Sequence, residues 1–187
     1  MNLTELRAAC STCTGCGLSQ TRTKLVFGVG PENAEVLFVG EGPGQQEDLT
    51  GEPFVGAAGQ LLDEMLCIID LGRDNCYIAN IVKCRPPQNR DPLETEQDAC
   101  FPWLQQQMEI LQPKLIVCLG RIAAKRLIKD DFRITREHGQ WFDYHGIPIM
   151  ATYHPSALLR DVSKRPEAFR DLKILQKKVQ EICSHTL

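Results

Sequence analysis

Three apolar runs constrain this chain more than anything else in it. EVLFVG (35–40), CYIANIV (76–82) and KLIVCLG (114–120) each lead into a segment with helical spacing, over 57–70, 93–111 and 121–129. Continuous apolar runs of this length are strands buried on both faces. Their alternation with helices predicts the α/β class: a three-layer α/β/α fold around a mainly parallel central sheet of about four strands. WFDYHGIPIMATYH (141–154) supplies a hairpin arm and a further strand, and 165–183 a closing helix. The first 35 residues stand apart as a cysteine-bearing cap. The whole chain, 1–187, reads as one domain with that cap packed on its core.

In open sheets of this kind ligands sit beyond the carboxyl ends of the strands. The segments that follow those ends are unusual here. The first strand runs into GEGPGQQEDLTGEPFVGAAG (40–59), with six glycines, two prolines, four acids and no basic residue. Glycine allows a backbone to approach a ligand closely. The acids argue against a phosphate, and the dinucleotide pattern GxGxxG is missing. The second strand contains Asn80 and continues into KCRPPQNRDP, and the last ends in TYHPSALLR. Three separate segments therefore converge on one edge of the sheet, as a site requires.

The chain carries nine cysteines. MNLTELRAAC holds no apolar signal core, so export is not expected and the chain reads as cytoplasmic. Metal binding is then favoured over a disulfide framework. CTGC places Cys13 and Cys16 on one turn, and Cys84 and Cys100 have 15 residues between them. Four thiolates from two segments suit either zinc or an iron–sulfur centre, and spacing leaves the choice open. Cys10 could substitute as a ligand, whereas Cys67 and Cys118 lie in apolar runs and read as small buried hydrophobes. No apolar run approaches the roughly 18 residues of a membrane span. A net charge of −3 gives no global sign of a nucleic-acid partner, although a local patch remains possible.

GEGPG, PFVGAAG, NIVKCRPPQNRDP and HPSALLR, in that order and together with the four cysteines, resemble the family 4 uracil-DNA glycosylases, the iron–sulfur members of their superfamily. The resemblance covers almost the whole chain. It implies a 4Fe–4S cluster on Cys13, Cys16, Cys84 and Cys100, and a monomer that acts on uracil-containing DNA. The implied reaction is hydrolysis of the N-glycosidic bond of deoxyuridine, leaving an abasic site. Such chemistry requires the base to be flipped into a pocket. Phe54 is then the stacking face, Asn80 the group that reads the O4 and N3–H edge, and His154 the donor to O2 as negative charge grows there. Glu41 and Asp48 are the carboxylates for the cationic sugar or the attacking water. Gly40 and Gly42 let the backbone approach the base, and Leu158 is the wedge that fills the vacated stack. In the best-known uracil glycosylases an aspartate stands where this chain has Gly42; family 4 has alanine or glycine there. Many members also read GRPFVG, whereas Glu52 replaces the arginine here. From His154 onward seven basic residues face four acids, a local +3 suited to phosphates. His138, His145 and His185 lack such context and read as surface residues. The competing class is an iron–sulfur electron carrier or DNA-binding accessory without glycosylase activity. It explains the cysteines but not Asn80, Phe54 and His154 at one edge.

Overall fold

The structure, a computed structural model, describes residues 1–187. Eight α-helices and five strands follow one another as α1 (Leu3–Ser11), β1 (Val36–Gly40), α2 (Gln45–Thr50), α3 (Ala57–Ile68), β2 (Tyr77–Asn80), α4 (Glu94–Leu111), β3 (Leu115–Leu119), α5 (Arg121–Leu127), α6 (Ile134–Glu137), β4 (Trp141–Tyr144), β5 (Ile147–Thr152), α7 (Pro155–Arg160) and α8 (Arg165–Ile182). The strands form one sheet in the order β2-β1-β3-β5-β4. Every pairing is parallel except β4 with β5. The sheet thus has five strands where about four were expected, because the hairpin arm at 141–144 pairs along the outer edge of β5.

The three-layer arrangement follows from the period of two along each strand. Leu37, Val39, Ile116, Cys118 and Ile149 turn to one face, where they meet Leu6, Leu104, Met108 and Leu127 of α1, α4 and α5. Val36, Phe38, Val117 and Met150 turn to the other, under Leu62, Leu66, Leu158, Leu172 and Leu175 of α3, α7 and α8. β1, β2 and β3 are buried at every position, which is why they read as unbroken apolar runs. Cys118 is buried as expected, whereas Cys67 is exposed on α3. The N-terminal cap begins with Asn2 and Glu5 exchanging hydrogen bonds across the first turn of α1, at 2.9 and 3.0 Å. That helix packs on α4. No helix is long and apolar enough to cross a membrane.

At the end of the sheet opposite the glycine loop, the last residues wrap around one buried carboxylate. Glu35 accepts hydrogen bonds from the backbone N–H groups of Ser184 (2.8 Å) and His185 (3.0 Å) and from the Thr186 hydroxyl (2.6 Å). Lys114 Nζ lies 2.8 Å away. Burial alone would raise the Glu35 pKa, but Lys114 and these donors outweigh it and hold the carboxyl well below its usual range.

A depressed carboxyl pKa contributes stability that is full above the unfolded value of 4.5 and is lost progressively as pH falls from there through the much lower folded-state value. Glu35→Gln is therefore expected to lower stability at pH 7 by about 1–3 kcal/mol, as unpaired buried donors do. The gap from the wild type should close as pH falls below 4.5. Urea denaturation at pH 7 and at about pH 2–3 checks both halves; equal stability at pH 7 rejects the assignment.

Candidate functional site

A cleft of about 810 Å³ opens at the carboxyl ends of β1, β2 and β5. It brings together Glu41, Gly42, Phe54, Asn80 and His154 from four separate segments. Register does the first part of the work, because β1 and β2 pair so that Gly40 lies opposite Asn80. A Cβ on Gly40 would stand 2.5 Å from both Asn80 Oδ1 and Phe54 Cζ, so only glycine lets the three meet. Gly42 is similarly pressed: a Cβ there would lie 2.7 Å from Val82 Cγ2. Asn80 is buried, and its Oδ1 has no hydrogen-bond partner. A buried orphan acceptor lining a cleft calls for a donor on whatever binds there.

Phe54 adopts a left-handed backbone, φ 53°, which is strained for a bulky residue. Two clamps hold it. Arg73 donates to the carbonyls of Pro53 and Phe54, and Glu47 accepts from the N–H groups of Val55 and Gly56, both at 2.9 Å. The other oxygen of Glu47 takes the Gly44 N–H at 2.9 Å, so one carboxylate ties the two ends of the glycine loop. Gly59 leaves room for the bend, since a Cβ there would overlap the Phe54 carbonyl.

His154 caps the start of α7, 5.6 Å from the Phe54 ring between centroids. Its Nδ1 accepts the Ser156 N–H at 3.0 Å, which leaves the proton on Nε2. Burial, helped by the nearby Arg160, pushes its pKa down to about 4, so the imidazole is neutral at pH 7. Gly120, with φ 93°, packs its bare α-carbon against the His154 side chain. In the same cleft, burial and the neighbouring Asp91 push Glu41 up to about 7, while Arg121 and Arg160 pull the other way. Arg121 pairs with Asp91 at 2.7 Å. Arg121, Arg160 and Lys164 give the cleft a basic rim.

Cys13, Cys16, Cys84 and Cys100 line a second, smaller pocket between the cap and α4. N–H donors point at three of the sulfurs: Trp103 Nε1 and Gly15 N at Cys13 (3.3 and 3.4 Å), Arg22 Nη1 at Cys84 (3.3 Å), and Lys83 N at Cys100 (3.2 Å). Burial pushes the free Cys100 thiol up to about 11. A thiol so disposed is a poor thiolate by itself, yet its surroundings supply the donors that a metal-bound thiolate wants. The donor set fits a metal–thiolate centre. Cys10 is buried beside it in the same apolar cluster.

A model of the uracil DNA glycosylase superfamily matches residues 27–174. The chain belongs to that superfamily. A type-4 uracil-DNA glycosylase of Archaeoglobus fulgidus is 46% identical over 180 residues, spanning 92% of this chain and 88% of the relative. One of Thermotoga maritima is 46% identical over 153 residues, 81% of this chain and 80% of the relative. A type-5 uracil-DNA glycosylase of Pyrobaculum aerophilum is 34% identical over 146 residues, 69% and 64% of the two chains.

Three expectations need correction within this superfamily member. Asp48 is not at the cleft: it is buried and accepts the N–H groups of Thr23 (2.8 Å) and Lys24 (3.3 Å), pinning the cap. Glu47, one residue earlier, faces the loop instead. The signal that marks it is its place three residues after Gly44, where a helix start favours a glutamate. Leu158 is 1% exposed and packs in the core below α7, so it does not project from the protein; Leu159 beside it is 43% exposed. His138 is not a free surface residue. Its Nδ1 lies 2.8 Å from buried Asp171, which also accepts the Thr152 hydroxyl at 2.6 Å and so steadies the strand end before His154. His145 and His185 have exposed side chains, and the His185 backbone serves Glu35. Asn89 and Asp91, which sequence reasoning passed over, also line the cleft.

Glu47→Gln keeps the shape of the side chain but offers one acceptor oxygen to three N–H groups. A loss of about 1–3 kcal/mol is expected. Amide exchange should quicken at Gly44, Val55 and Gly56 and stay slow in β3. Unchanged exchange at those three amides would show that the loop holds its own shape.

Proposed function

We propose that this chain removes uracil from DNA by hydrolysing the bond between N1 of the base and C1′ of the sugar. The observation that carries the reading is the orphan Oδ1 of Asn80 in a cleft that also holds a neutral, Nε2-protonated His154. Uracil offers a donor at N3 and acceptors at O4 and O2. Asn80 can take N3–H and give Nδ2–H to O4, a pattern that cytosine, with its N4 amine, does not match. Phe54 supplies the flat apolar face for the flipped base.

As the N1–C1′ bond breaks, its electron pair moves into the uracil ring and charge gathers on O2. His154 Nε2–H donates to that oxygen. A neutral donor of this kind loses no solvation as the charge arrives. The sugar becomes cationic, and the Glu41 carboxylate, which lines the same cleft, is the group assigned to stabilise that charge or orient water. Water adds its oxygen to C1′ and releases a proton, and the departing uracil anion is protonated. Gly40 and Gly42 bring backbone against the base. Arg121, Arg160 and Lys164 are suited to the phosphates flanking the flipped nucleotide. Leu159, exposed beside them, takes over the wedge role.

We assign Cys13, Cys16, Cys84 and Cys100 as ligands of a 4Fe–4S centre, which would fasten the cap to the segment after β2 and supply folding free energy. The reading extends to a monomer working in the cytoplasm. An electron carrier without glycosylase activity would leave the orphaned Asn80 unexplained.

Single-turnover cleavage of a uracil-containing oligonucleotide is the direct test; no abasic product from the iron-loaded protein rejects the function. His154→Ala is expected to slow the chemical step by roughly 10²–10³, as loss of an oxyanion donor does, with little change in DNA affinity. Weak binding with a normal cleavage rate would make His154 a DNA-positioning residue. Glu41 is charged above about pH 7 and neutral below it. The wild-type rate should fall as pH drops through that value, and Glu41→Gln should flatten the profile. A step that survives in Glu41→Gln belongs to another group.

A further inference from the structure

Lys83 is fully buried, directly before Cys84. Its ammonium donates to the Asn80 carbonyl at 3.2 Å and to Gln107 Oε1 at 2.5 Å. Both acceptors are neutral. Gln107 is itself held by the Phe27 carbonyl at 2.9 Å, and the Phe27 ring lies 5.8 Å from the ammonium. Lys83 lines the same pocket as Cys13, Cys16, Cys84 and Cys100, with buried Cys10 in the adjoining apolar cluster. The guanidinium of Arg7, of the same sign as the lysine, stands 5.0 Å from the centre of the same Phe27 ring. A cation buried among neutral acceptors and a second cation is costly unless an anion stands nearby. Protonated thiols supply none, whereas metal-bound thiolates do. The Lys83 backbone N–H already points at Cys100 Sγ.

We propose that Lys83 couples the cysteine centre to the base pocket: its ammonium is the buried counter-cation of a metal–thiolate centre, and through the Asn80 carbonyl it positions the amide that reads the base. This rests on the assignment of Cys84 and Cys100 as ligands. Lys83 touches neither base nor reacting bond and is a positioning residue. It spans two functions because one side chain reaches from a cysteine loop back to the last residue of β2, three positions earlier.

The test compares Lys83→Met, of similar length without charge, with Lys83→Arg. Three quantities are read: iron per chain, the midpoint potential of the iron centre, and inhibition by free uracil. Removing a positive charge disfavours adding an electron, so the Lys83→Met potential should move negative. Free uracil should inhibit that variant about tenfold more weakly, the size of one lost charge-assisted hydrogen bond. Lys83→Arg should stay near the wild type in both. A Met variant that fails to hold iron while the Arg variant holds it also supports the proposal. Equal damage in both variants means that packing, not charge, is required and overturns it. So does an iron-loaded Met variant with unchanged potential and uracil inhibition. A wild type without metal removes the ligand assignment and this proposal with it; an iron-loaded wild type beside a silent Met variant removes the proposal alone.

Discussion

The parallel pairing of β1 with β2 sets Gly40 against Asn80, and the cleft depends on that contact. With no side chain between them, the Asn80 amide and the Phe54 ring reach the same point. The bend that delivers Phe54 is strained, so it must be held from outside. Arg73 holds its carbonyl side and Glu47 the N–H groups that follow. The acids of the glycine loop thus divide their labour. Glu47 organises backbone, Asp48 anchors the cap, and Glu41 lines the cleft wall with its pKa pushed up.

Burial tunes Glu41 and His154 in opposite directions. It penalises whichever form is charged, so Glu41 rises and His154 falls. At neutral pH the cleft therefore holds an acid near its midpoint and an imidazole that has already lost its charge. The second still presents its Nε2–H as a fixed donor toward a leaving group that becomes anionic. Arg160 contributes to both shifts, lowering each pKa from the cleft rim.

The architecture was legible because the parallel strands are apolar runs, broken only by Asn80 and Thr152 at their ends, and the helices are not. Glu41, Phe54, Asn80 and His154 were legible because they stand at strand ends or beside glycine, where a side chain has few alternatives to the cleft. The four cysteines were legible as a pair of pairs, and they do line one pocket. Two of the errors share one cause. Asp48 and Glu47 are adjacent, as are Leu158 and Leu159, and each pair sits on a short helix. One residue is about 100° of helix rotation, enough to exchange core for cleft or solvent. Motif order does not encode that phase. His138 escaped for a different reason: Asp171 is 33 residues away in sequence, and only the packing of α8 on the sheet brings them together.

The sheet also acts as a partition. The cap and its cysteine pocket belong to the α1–α4–α5 side, whereas His154 and Phe54 belong to the α3–α7–α8 side. Along β2 the side chains alternate, Tyr77 and Ala79 toward the cap and Ile78 away from it, so the Asn80 side chain stands with Phe54 on the α3–α7–α8 side while its carbonyl is reached by Lys83. The side chains of the cleft thus hang from one face of the sheet, and the cysteine compartment can address them only through main chain at the end of β2.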